Sequence, residues 1–119
     1  MIELPLGKNG RYTTKIDDED YAFVSQWCWQ YKLSAKRYKQ KVYAKRTAQI
    51  NGRKTTILLS HVILIHCKGE ARPSDDHVAD HKNDDSLDNC RGNLQWLTTA
   101  ANRKFKHLLR KANTNSATV

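Results

Sequence analysis

Residues 78–94 read Val78-Ala79-Asp80-His81-Lys82-Asn83-Asp84-Asp85-Ser86-Leu87-Asp88-Asn89-Cys90-Arg91-Gly92-Asn93-Leu94. Carboxylates and amides crowd around one histidine here, inside a chain that is otherwise basic. Short apolar runs frame the stretch, Val78-Ala79 before it and Leu94-Gln95-Trp96-Leu97 across its end, and each has the length of a strand. The Asp- and Asn-rich residues between them are turn and cap formers, and Asp84, Asp85, Asp88 and Asn89 are read as such. The expected order is strand, polar loop, strand, and then a helix from Thr98 or Thr99. Hard divalent cations take oxygen ligands, which Asp and Asn supply. An imidazole titrating near neutrality is the side chain suited to take a proton from an attacking water. Asp80 and His81 set both ingredients side by side. Neighbouring strand residues face opposite ways, so the two could flank a reacting group rather than crowd one spot.

Working outward, Ser60 is the expected cap of a helix through His66, ended near Gly69. Before it, Val42 to Ala48 and Thr55 to Leu59 alternate as half-buried strands, and Asn51-Gly52 between them is a strong hairpin signal. Trp27, Trp29 and Tyr31 also recur at period two; they are assigned to the core rather than to stacking on bases. Asp17-Asp18-Glu19-Asp20 predicts the capped start of a short helix to about Gln26, because acidic groups favour a helix N-terminus. Residues 2–6 and 11–16 predict a hairpin across Gly7-Lys8-Asn9-Gly10. The fold class is therefore α+β, a small antiparallel sheet with a short helix followed by the strand-loop-strand-helix unit. The expected division is a basic β-rich lobe over 1–57, a second unit over 58–112 and a flexible tail over 113–119.

The chain has 119 residues and a formal charge of +9. No acidic residue lies between Asp20 and Glu70, a stretch that holds Lys32, Lys36, Arg37, Lys39, Lys41, Lys45, Arg46, Arg53, Lys54 and Lys68. Such an unmixed run points to a polyanion, and nucleic acid fits better than an acidic membrane because no large apolar helical face accompanies the charge. Cys28, Cys67 and Cys90 are odd in number and form no Cys-x-x-Cys pair, which argues for reduced thiols over a disulfide framework or thiolate zinc site. No apolar run approaches a membrane span and the N-terminus lacks a signal-peptide pattern, so an intracellular, cytoplasmic protein is expected.

The spacing of Asp80-His81, then Asp88-Asn89-Cys90-Arg91-Gly92-Asn93-Leu94, then Asn102, resembles the HNH endonucleases, most closely phage and intron-encoded homing enzymes with a His-Asn-Asn variant site. His61 followed by Val62-Ile63-Leu64 belongs to the same pattern. The resemblance covers about residues 58–106 closely and the earlier part loosely. It departs at Cys90, where relatives often carry Arg, and at Asn102, which stands in place of the third His and favours magnesium or manganese over zinc. The resemblance implies a ββα-metal core of the His-Me finger kind and a DNA endonuclease leaving 5′-phosphate and 3′-hydroxyl ends. It implies His81 as general base, Asn93 holding the His81 ring, Asp80 and Asn102 on the metal, and His61 in support. Lys39, Lys41, Lys45, Arg46, Arg53 and Lys54 of the sheet, and Arg103, Lys104 and Lys106 of the last helix, are the candidate DNA contacts. Double-stranded DNA is the expected partner, with no membrane and no small-molecule cofactor, and the chain is a monomer or a homodimer. The rival reading is a non-catalytic DNA-binding protein on the same fold; a weaker one is an RNA nuclease or RNA-binding protein.

Overall fold

The computed structural model describes residues 1–34 and 41–103. Lys36, Arg37, Lys39, Lys104, Lys106 and the expected tail over 113–119 lie outside the described residues. The chain is α+β, built of short antiparallel sheets with few helical turns. Strands β1 (Ile2–Leu6) and β2 (Tyr12–Ile16) form the first hairpin, in the register Ile2 with Ile16 and Leu6 with Tyr12. A 3-10 turn (Asp18–Asp20) and helix α1 (Tyr21–Val24) follow. The second sheet has the order β3 (Gln30–Leu33), β4 (Val42–Ile50), β5 (Arg53–Leu58). Asn51 at φ 51° and Gly52 at φ 79° supply the two left-handed residues that let β4 turn tightly into β5.

Helix α2 (Leu59–Val62) starts directly from β5. Ser60, expected to cap it, lies inside the helix and is buried, while Leu58 holds the cap position in an extended conformation with no side-chain bond. Tertiary burial of Leu59 thus sets the start two residues earlier than a cap at Ser60 would. The helix widens over Ile63–Cys67, where Lys68 N–H donates to the Ile63 carbonyl at 2.8 Å, and Gly69 at φ 73° ends it. Strands β6 (His77–His81) and β7 (Leu94–Thr98) pair antiparallel, Asp80 opposite Gln95 and His81 opposite Leu94. The chain is helical again over 99–103, designated α3. Thr98 Oγ1 accepts from the Ala101 N–H at 3.1 Å, a capping bond at this helix start.

The two lobes expected over 1–57 and 58–112 share one core. Leu6, Ile16, Val24, Trp29 and Ala44 pack with Leu59, Val62, Ile63, Leu64 and Leu94. Trp29 is buried and its Nε1 donates to the Val24 carbonyl at 2.8 Å, while Trp27 and Tyr31 pack against the cluster. The expected strand through Trp27 begins only at Gln30, because Trp29 turns inward to meet α1. Backbone bonds also join the halves: Lys15 N–H donates to the Leu87 carbonyl at 2.8 Å and Asn89 N–H to the Lys15 carbonyl at 2.9 Å. Strand β2 thereby runs parallel beside the loop that precedes β7. Among the described residues no helix is long and apolar enough to cross a membrane.

Candidate active site and basic face

The β6–β7 hairpin brings the motif residues together through its register. His81, Leu94, Ala79 and Trp96 fall on one face of the two-stranded ribbon, and Asp80 and Gln95 on the other. Leu94 is fully buried in the core, so the pleat drives His81 inward with it, and both His81 (7% exposed) and Asp80 (1%) are buried. Gln95 Nε2 donates to Asp80 Oδ2 at 2.8 Å, a contact that fixes the carboxylate across the ribbon. His81 Nε2 lies 3.0 Å from Asn89 Oδ1. Asn89 is itself buried, its Nδ2 donating to Thr14 Oγ1 at 2.8 Å, and the Thr14 hydroxyl donates to the Leu87 carbonyl at 2.7 Å.

The family resemblance implies that Asn93 holds the His81 ring; in the structure the Asn93 side-chain amide braces the loop. Its Oδ1 accepts from the Asn83 N–H at 3.0 Å, and its Nδ2 donates to Asn83 Oδ1 at 2.9 Å and to the Asp88 carbonyl at 2.8 Å. Asn89, read from sequence as a turn residue, is the amide that meets His81. A run of Asp and Asn looks like solvated turn material, and only the distant strand β2, which covers Asn89, makes it an interior residue. Arg91 is a second residue of this loop held by a partner far along the chain. Its guanidinium forks onto the buried Asp20 carboxylate, and its N–H donates to Asp17 Oδ2 at 2.7 Å. The acidic run 17–20 therefore serves the loop before β7 as well as the start of α1. The hydrogen bonds to Asp20, reinforced by its charge, hold the Arg91 guanidinium above its ordinary range.

His61, on α2, packs against Trp96 with ring centroids 5.1 Å apart and planes tilted by 57°, on the ribbon face that carries His81. Burial, reinforced by the Arg72 charge, pushes its imidazole below the ordinary value. Asn102 sits in α3, and its Oδ1 is buried with no hydrogen-bond partner among the described residues. The Asn102 amide oxygen and the Asp80 carboxylate are each hard oxygens of the type that magnesium or manganese takes. No cluster of three or more His, Cys, Asp or Glu forms among the described residues.

The candidate DNA contacts divide by face. Cross-strand partners share a side, so Lys32, Tyr43, Lys45, Thr47, Gln49, Lys54 and Thr56 line one face of the β3–β4–β5 sheet. Lys32, Thr47, Gln49, Lys54 and Thr56 are exposed there. Arg46 and Arg53 lie on the opposite face, with Ala44 and Ile57, which meet the core. Arg46 covers the Trp27 ring at 4.7 Å and the Trp29 ring at 5.9 Å, a cation–π arrangement that engages it inside the molecule. Lys41 is half-buried and ion-paired with Asp84 of the β6–β7 loop. Arg103, at the described end of α3, is exposed.

Comparison of the chain with family models, curated proteins and solved structures returned no match.

Proposed function

We propose that this chain is a metal-dependent endonuclease of the HNH type, with a ββα-metal core, that hydrolyses phosphodiester bonds in duplex DNA. The observation that carries the reading is Asp80 and His81 side by side at the end of β6, facing opposite ways, with Asn102 on the helix that follows β7. We place the enzyme among phage-encoded or homing nucleases working in the cytoplasm of a bacterial host, a role drawn from the motif spacing. His81 acts as the general base that takes a proton from the attacking water. Asp80 and Asn102 would hold a magnesium or manganese ion, which when bound supplies positive charge against the charge that builds on the phosphate. Gln95 keeps the Asp80 carboxylate in place, and Asn93 keeps the loop over 83–93 closed beside His81. Lys32, Lys45 and Lys54 present a basic sheet face to the DNA backbone, and Arg103 extends the charge from α3.

The test is relaxation or linearisation of supercoiled plasmid. Cutting is expected with magnesium and none with a chelator, and His81→Ala should slow it by roughly 10²–10⁴-fold. Plasmid left intact across divalent metals, or a His81→Ala chain that cuts at the wild-type rate, overturns the reading.

The near-complete burial of Asp80 and His81 favours a second reading, a DNA-binding protein that keeps the nuclease fold without cutting. Salt-dependent binding to duplex DNA without strand scission, unchanged in Asp80→Asn, is its signature. Preference for duplex RNA over DNA in competition would instead identify an RNA-directed protein.

A further inference from the structure

The loop between β6 and β7 is fastened to the sheet that carries the exposed lysines. Lys41, the residue before β4, is ion-paired with Asp84, and the two side chains are 13% and 19% exposed. Two residues further on, the Ser86 hydroxyl donates to the Val42 carbonyl at the start of β4. Asp84 N–H donates to the His81 carbonyl at 2.9 Å, closing the turn by which the chain leaves β6. Asp84 takes φ 63°, in the left-handed region. Glycine adopts that conformation without steric cost and asparagine tolerates it as aspartate does, so the turn alone does not call for a carboxylate. The ammonium of Lys41 supplies the reason for one. A pair so far out of water resists opening, because parting it leaves charge where solvation is poor. The main chain of His81 is thus tied, through one turn residue, to the strand that presents Lys45.

We propose that Lys41 is a positioning residue that, through Asp84, registers the His81 turn against the basic sheet and so fixes where the general base stands relative to DNA on that face. The inference rests on the nuclease reading of His81 and on the sheet as the DNA face. The charge of Lys41 is engaged inside the protein, so it acts on the rate of cleavage rather than on the hold on DNA. A displacement of about 1 Å at a reacting centre can cost on the order of 100-fold in rate. Fastening the base to the element that also carries the substrate guards against that displacement.

The test combines plasmid cleavage, duplex binding in chelator and amide hydrogen exchange by nitrogen-15 NMR, all on the full-length chain. Lys41→Gln should lower kcat about 10–100-fold with KM and duplex affinity little changed. Its Asp84 amide should exchange faster while the amides of the β4–β5 hairpin do not, which separates a loosened turn from general unfolding. Lys41→Arg, which keeps the charge, should restore both rate and exchange. Asp84→Asn keeps the turn without the carboxylate and should match Lys41→Gln, and the double variant should lose no more than either single one. Lys41→Gln cutting at the wild-type kcat, whatever its affinity, or losses that multiply in the double variant, overturns the proposal while leaving the nuclease intact. Where the wild type cuts no DNA, the nuclease reading falls and exchange alone decides. An Asp84 amide that follows the Lys41 charge then keeps the loop registered on the sheet, and one indifferent to it removes that as well.

Discussion

Burial sorts the three cysteines, which sequence alone treats alike. Cys28 is exposed, whereas burial pushes the Cys67 thiol up to about 11 and the Cys90 thiol up to about 12, the latter reinforced by its hydrogen bond with Asp88. The thiolate is the reactive form, so brief treatment with a maleimide near pH 8 should add one label, at Cys28, before the others. Peptide mass spectrometry showing Cys67 or Cys90 labelled as fast would contradict the burial. His61 offers a second test at this scale. Its imidazole sits below the ordinary value of 6.5 because it is half-buried against Trp96. Below that pH the unfolded chain binds a proton that the folded chain resists. The contribution is therefore complete above about pH 6.5 and is lost as pH falls through the window below it. Urea unfolding at pH 7.5 and pH 5 should show wild type losing more stability on acidification than His61→Phe, which keeps a ring on Trp96. Equal losses in the two chains would remove the assigned cause.

Among the elements, the link between the 3-10 turn and the loop before β7 carries the sharpest expectation. Arg91 is the fork on Asp20, a carboxylate 1% exposed. Removing the guanidinium leaves that charge buried and unpaired, so Arg91→Ala should cost on the order of 3 kcal/mol. The check is the urea midpoint at unchanged slope, and a loss under about 1 kcal/mol would mean that water readily reaches Asp20. This contact also shows where sequence reading stops. The hairpins at Gly7–Gly10 and Asn51-Gly52, and the strand pair β6–β7, were legible because turn residues and period-two patterns are local properties. Asp80, His81, Asn93 and Asn102 stood out by type and spacing. The partners of Asn89 and Arg91 were not legible, since Thr14 lies 75 residues from Asn89 and Asp20 lies 71 from Arg91. No local pattern reports such a pairing. Ser60 shows the converse, a residue with good capping chemistry overridden by the burial of Leu59.

Across the whole molecule, the charge of +9 is sorted by the sheet into two roles. Arg46 is committed to Trp27 and Trp29, and Lys41 to Asp84, so these cations stabilise the fold. Lys32, Lys45 and Lys54 fall on the sheet's outward side, one from each strand. Each phosphate neutralised by a cation releases counterions, and the logarithm of affinity falls with the logarithm of salt by about 0.9 per contact. If the proposed DNA face is this one, replacing all three lysines by Gln should lower the salt slope by nearly 3. Lys41→Gln should leave the slope unchanged, because its charge is already paired within the protein. Both are measured by fluorescence anisotropy on a short duplex in chelator, where cleavage cannot intervene. A triple variant with the wild-type slope would move the DNA to another surface, with Arg103 and α3 the next to test. A Lys41 variant that lost one unit would show that DNA opens the pair with Asp84, coupling binding to the loop that follows His81 and carries Asn89.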